Sequence, residues 1–235
     1  MSHADYEEWI MSRYPSLKSD SSEKMFANRP EYVQHNLRDV KIDYTSYMPP
    51  VRDMTLGKTK KCSLEAAFAM TDLISAVYNV AYKESFVFSP QQFLDCNSWG
   101  VTCTNPPQQF QSVHYYFMTE GIALESDYPY NGNKNTCTLN KNKLFWIVGS
   151  SYSNGSNYPL DLANLYNFQH YPMITLIDAS SQAFQFYVSG FFRPDLSKGC
   201  RNTFPVVVAA TGSENNNNWI KIKNHWGTGW EKMVT

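Results

Sequence analysis

Apolar residues recur at helical spacing in the first half of the chain. Between Ser63 and about Lys83, SLEAAFAMTDLISAVYNVAYK repeats apolar side chains every three or four positions, and Ser63 is a suitable N-cap. SPQQFLDC predicts a second helix, with Ser89 as cap and Pro90 at the first helical position. QQFQSVHYYFMTEG predicts a third helix, which ends at Gly121.

The pattern changes after about residue 145, where short β-branched or aromatic runs are separated by Gly, Asn and Asp. These runs are PMITLIDA, AFQFYVSGFF, FPVVVAATG and WIKIKNHW. A helical part followed by a strand-rich part is typical of an α+β fold. The pattern therefore predicts two lobes, one helical over about 55–145 and one β-rich over about 146–235.

Composition and charge exclude several classes of function. The 235 residues carry 20 basic and 21 acidic side chains, with no basic stripe, so nucleic-acid binding is not expected. No apolar run approaches the roughly 18 residues that a membrane span needs. The N-terminal MSHADYEEWI has no apolar signal-peptide core, which favours a cytoplasmic or cytoskeletal location. No residue pattern calls for a metal or a cofactor.

Several motifs, taken in order, resemble those of the papain-like cysteine proteases. They are PPVRD, CSLEAAFA, SPQQFLDC, EGIALESDYPYNG, YPMITLIDASSQAFQFYVSGFF and WIKIKNHWGTGW, and together they cover roughly residues 42 to 231. The resemblance implies a papain-like two-lobe fold, with a helical left lobe, a β-barrel-like right lobe and an active-site cleft between them. It also implies two segments: a shortened, inhibitor-I29-like propeptide helical segment over 1–40 and a peptidase domain over 41–235.

The residues that carry the family's chemistry are replaced in this chain. By the resemblance, Glu65 stands at the nucleophile position, and a carboxylate cannot perform the thiolate's acyl transfer. Counting back from Gly212 places the base position at Val206, whose side chain cannot accept a proton.

The oxyanion-hole and substrate-binding positions have changed as well. DMTLGKTKKC contains no Gln to serve as an oxyanion donor. The resemblance places Pro106 and Trp226 in the former cleft of this chain, where Pro106 replaces a glycine that pairs with peptide substrate in the family. Asn224 and Trp226 are retained, but Asn224 has no His to orient, so a local hydrogen-bonding role is expected for it. The following residue, His225, is expected at the surface or behind the site.

The five cysteines fit the same resemblance. It implies structural pairs between Cys62 and Cys103 and between Cys96 and Cys137, and it leaves Cys200 unpaired. These cysteines favour a secreted or lysosomal location as the alternative to the cytoplasm. Cys62 is also the alternative nucleophile, although its interpretation as a structural cysteine is preferred.

These residues favour a catalytically inactive homologue, a pseudoprotease, which acts as a structural or protein-binding module with protein partners. A larger intracellular assembly, for example cytoskeletal or axonemal, is one setting for it. One alternative is a protease inhibitor or decoy, which the propeptide-like N-terminus favours. A second is an active peptidase with a relocated site that uses Cys62 or Glu65.

Overall fold

A computed structural model describes most of the chain. The described residues are 42–55, 64–103, 105, 110–147, 168–187, 190–193, 204–214 and 217–231. The predicted propeptide-like segment over 1–40 lies outside them, as do Cys62, Pro106 and Cys200.

The first half of the described chain is helical, as its apolar spacing predicts. Its helices are α1 (Glu65–Tyr82), α2 (Gln91–Cys96) and α3 (Phe110–Glu120), and two 3-10 turns span Thr45–Tyr47 and Lys141–Lys143. The structure differs from the predicted start of α1, because the N-cap is Leu64 and not Ser63. Gly121 follows α3 with a φ of 75°, the left-handed conformation that ends many helices.

The second half supplies an antiparallel sheet. Its strands are β1 (Ile42–Asp43), β2 (Met173–Ile177), β3 (Phe204–Glu214) and β4 (Asn217–Lys223). Strand β3 pairs with each of the other strands, in the order β1-β3-β2 with β4 also on β3. Most of β3 is buried, which agrees with its run of apolar residues VVVAA.

One predicted strand is wrong. The run AFQFYVSGFF (residues 183–192) begins within α4 (Gln182–Gln185), and irregular backbone follows in its described residues. The side chain of Ser181 accepts a hydrogen bond from the backbone N–H of Phe184 and caps this helix. Of the aromatic side chains that suggested a strand, Phe184 packs against Trp230 of α5 (Thr228–Glu231).

The principal core lies around α1. Fully buried side chains of α1, α2 and α3 meet there, including Phe68, Phe93 and Phe117. Helix α1 also packs against β3 and β2. This helix therefore joins the helical part of the fold to the sheet, and its N-terminal end lies where the resemblance expects the active site.

Candidate functional site

Glu65 is the first residue of α1. Its side chain is half-buried, and this burial raises the pKa of the carboxyl, against the opposing effect of a hydrogen bond from its own backbone N–H. A helix N-terminus is a favourable place for a carboxylate because the unpaired N–H groups carry partial positive charge. The site residue predicted from the motif is thus an acid on a rigid helix, one turn before Phe68.

His225 is buried, which excludes the first of the two positions expected for it, at the surface or behind the site, and leaves the second. The imidazole is fully inaccessible to solvent and lies between two aromatic rings, with centroid distances of 5.5 Å to Phe68 and 5.1 Å to Phe204. Among the described residues, neither ring nitrogen has a hydrogen-bond partner. Burial lowers the pKa of His225 to about 3, and the charges of Lys223 and Arg52 act in the same direction while Asp72 opposes them.

Asn224 is also buried, and its side chain serves the backbone. Its Oδ1 accepts a hydrogen bond of 2.7 Å from the backbone N–H of His225, while its Nδ2 has no partner in the part of the chain that the structure describes. The local role expected for Asn224 agrees with this geometry. The ring of the neighbouring His225 is held between Phe68 and Phe204. Among the described residues, the amide of Asn224 therefore orients no imidazole.

The start of β3 carries the two residues that bear on the base position. Val206 is fully buried and pairs with Thr175 of β2. Phe204, two residues earlier, stacks on His225 and lies 5.1 Å from the ring of Trp226. The aromatic ring of Phe204 therefore lies against the two residues that follow Asn224.

Trp226 lies at the edge of a cavity of about 460 Å³. The side chain is half-buried and packs against Phe184, Phe204 and Trp230. Charged and aromatic residues complete the lining, namely Arg52, Asp53, Glu125 and Tyr130. The first two belong to the motif PPVRD (residues 49–53), the entry strand, whose Asp53 forms a β-bridge with Trp226, and the other two to the turn after α3. The cavity is polar as well as aromatic.

A buried ion cluster lies behind this cavity. Asp72 of α1 is fully buried and receives the ammonium of Lys223 at 2.7 Å and the guanidinium of Arg52 at 2.6 Å. Arg52 also contacts Glu125 at 3.2 Å and donates to the carbonyl of Phe88 at 2.7 Å. The cluster joins the entry strand, α1 and β4 through charge-assisted hydrogen bonds.

The structure contains disulfide bonds in the helical part. Cys96 is bonded to Cys137, with a Cα–Cα distance of 4.8 Å. Cys103 is disulfide-bonded as well, and its predicted partner Cys62 lies outside the described residues. Cys96 is the last residue of α2, and Cys103 and Cys137 lie in loops.

Sequence reasoning missed the ion cluster and Phe204. A signal for the cluster existed, because Asp72 is the only charged residue of α1 after Glu65 and lies between the apolar residues Met70 and Ile74. A lone charge on a buried helix face indicates a buried partner. Phe204 was missed because counting back from Gly212 placed the base position two residues later, at Val206.

Two further observations concern ligands and membranes. Within the described ranges, no three His, Cys, Asp or Glu side chains are grouped so as to hold a metal ion. The described helices include none that combines the length and apolar character needed to cross a bilayer.

Comparisons with known proteins agree with the motifs. The model for "Papain family cysteine protease" matches residues 41–234. A Paramecium tetraurelia protein named for cathepsin L is 29% identical over 214 residues, which cover 91% of this chain and 63% of the relative. The cathepsin L-like proteinase of Fasciola hepatica is 26% identical, over 95% of this chain and 67% of its own length. The chain thus spans only about two thirds of these curated relatives.

Solved structures show the same fold. The digestive procathepsin L2 proteinase of Tenebrio molitor superimposes with a TM-score of 0.67 at 22% identity, over 85% of this chain and 61% of that one. A Carica candamarcensis cysteine protease in complex with E-64 gives 0.61 at 23% identity, over 81% and 84%. The predicted α+β, two-lobe fold is confirmed.

Proposed function

Because this chain belongs to the papain family of cysteine proteases, we propose that it is a catalytically inactive member, which acts as a structural or protein-binding module. The observation that carries the proposal is the carboxylate of Glu65 at the head of α1, where the family places its thiolate. The relatives named above are called proteinases, so this chain departs from them in its chemistry and not in its fold.

The nucleophile position supports inactivity for an electrostatic reason. Acyl transfer forms a negatively charged tetrahedral intermediate, and a nearby carboxylate destabilises that charge. The raised pKa of Glu65 does not supply a nucleophile, because a carboxylic acid is weaker still than its anion. The helix remains as packing for Phe68 and its neighbours.

The base position supports the same conclusion. We assign this position to Phe204 in place of Val206, since its ring lies against Trp226 and next to the residue that follows Asn224. Neither side chain accepts a proton. His225 is no substitute, because an imidazole with a pKa of about 3 is too weak a base to deprotonate a thiol near neutral pH.

A binding role is supported by exposed apolar side chains. Phe186 and Phe191 are 74% and 59% exposed, and apolar surface of this kind is frequent where proteins associate. The disulfides support an oxidising compartment, which favours the secreted or lysosomal alternative over the cytoplasmic or cytoskeletal location.

Restoring the missing groups tests this proposal. We expect Glu65→Cys to react slowly with E-64 at about pH 6, because a thiol without a base is mostly protonated there. Adding Phe204→His should raise the rate of covalent labelling by about tenfold or more, since the imidazolium stabilises the thiolate. Intact-protein mass spectrometry follows the adduct over time, and circular dichroism checks that each variant is folded.

The matched control is Glu65→Cys with Val206→His. This control should label no faster than Glu65→Cys alone if Phe204 holds the base position. Faster labelling of the Val206 variant would refute the assignment of Phe204. If the wild-type chain were labelled as fast as the variant Glu65→Cys with Phe204→His, the proposed inactivity would be refuted.

A further inference from the structure

Glu65, at the position of the missing nucleophile, does not line the cavity beside Trp226. The walls of this cavity come from the entry strand (Arg52 and Asp53), the turn after α3 (Glu125 and Tyr130) and the motif that follows β4 (Trp226 and Gly227). None of these side chains is assigned a catalytic role by the motifs. The charges and rings of the walls define which ligand fits.

The charges in the wall leave one carboxylate unbalanced. Arg52 is paired with Asp72 and Glu125, and Lys223 is paired with Asp72, so this cluster of two cations and two anions is neutral. Asp53 has no ion pair with any residue of the described chain. Its Oδ1 accepts hydrogen bonds from the backbone and side chain of Thr55 only. The cavity therefore carries a negative charge that a cationic ligand would neutralise.

Gly227 helps to keep this carboxylate accessible. Its φ is 81°, and a Cβ added there would lie 3.1 Å from Oδ2 of Asp53. The backbone N–H of Gly227 also donates to the carbonyl of Arg52 at 3.1 Å, which holds the two walls together. A side chain at this position would strain the turn and crowd the carboxylate.

Two aromatic side chains flank the charge. Tyr130 and Trp226 both line the cavity, and aromatic faces attract cations, with Trp the strongest of them. A guanidinium group is planar and stacks on aromatic rings, which an ammonium group does not do, and it can still donate to Oδ2 of Asp53. The combination of a carboxylate without an ion pair in the described chain and two aromatic rings therefore favours arginine.

We propose that this cavity binds an arginine side chain of a protein partner. That the arginine belongs to a protein partner rests on the proposed function. That the cavity recognises an arginine side chain depends only on the residues of its walls. The cavity's volume of about 460 Å³ suffices for one side chain.

The test uses N-acetyl-arginine amide as the probe and N-acetyl-citrulline amide, its neutral analogue, as the ligand control. Chemical-shift changes in the ¹⁵N-labelled chain should saturate at about millimolar arginine amide, and citrulline amide should cause none. Asp53→Asn should weaken binding by about tenfold or more, because it removes the charge but keeps the acceptor for Thr55. Asp127→Asn, the same change outside this cavity, should leave binding unaltered.

Three results would overturn the inference. They are equal binding of citrulline amide, unchanged affinity in Asp53→Asn, and the same shifts produced by inorganic phosphate, which would identify an anion site. Peptidase activity in the wild-type chain would refute the proposed function and leave the arginine result untouched, so the two failures are distinguishable.

Discussion

Replacing Asp72 with Asn should lower the free energy of unfolding by about 3 to 5 kcal/mol. The carboxylate is fully buried and is the shared partner of Arg52 and Lys223, whose side chains are only 12% and 5% exposed. Removing the negative charge leaves the buried ammonium of Lys223 without its counter-charge and leaves Arg52 with Glu125 alone, which is the costly way to break a buried ion pair. Urea unfolding monitored by circular dichroism measures the change.

Asp127→Asn is the matched control for this substitution. Asp127 pairs with Lys143 at 3.2 Å, but the side chains are 36% and 60% exposed, so the pair is screened by solvent. Its loss should cost about 1 kcal/mol or less. Equal effects of the two substitutions would show that the cluster around Asp72 is not buried in the folded protein.

The pH dependence of the free energy of unfolding provides a second test of the same ion cluster. Burial by itself would raise the pKa of Asp72, but the charges of Lys223 and Arg52 outweigh it and hold the pKa below its ordinary value of 3.8. Because the folded-state pKa is the lower one, the stabilisation is complete above about pH 4 and is lost as the pH falls through the folded value. The difference between wild type and Asp72→Asn should therefore shrink below about pH 4.

Removing the disulfide between Cys96 and Cys137 should cost about 4 kcal/mol. The bond closes a loop with a sequence separation of 41, and the entropy that such a closure removes from the unfolded chain accounts for a loss of this size. The double variant Cys96→Ala with Cys137→Ala avoids an unpaired thiol. Its free energy of unfolding is compared with that of the wild type in urea without reductant.

The same comparison in reductant is the control. Both proteins then lack this bond, so their stabilities should converge to within the effect of the side-chain change itself. A double variant as stable as the oxidised wild type would show that the bond is not formed in the protein. That result would also remove the support for an oxidising compartment.

The sequence predicts local structure well where one periodicity dominates. The apolar spacing of α1 and the β-branched run of β3 give their type and place, since each element buries a continuous face. The run AFQFYVSGFF misleads because aromatic side chains suit strands and helices alike, and only the cap at Ser181 decides for a helix. Glu65 is found from its motif because the position is fixed within one helix start.

The surroundings of the site depend on contacts that no single stretch encodes. His225 is buried because Phe68 of α1 and Phe204 of β3 close over its two faces, and these rings are far apart in sequence. The cluster at Asp72 likewise needs Arg52 and Lys223 from separate elements. Such long-range pairings follow from the packed fold and are invisible to spacing alone.

Incubating the wild-type chain with E-64 and with a panel of fluorogenic peptides tests the inactivity of this papain-family protein most directly. Intact mass spectrometry and fluorescence should detect neither a covalent adduct nor turnover between about pH 4 and 8, because a carboxylate replaces the thiolate and no described side chain acts as its base. Stoichiometric labelling, or turnover that disappears in Cys62→Ala, would contradict the account.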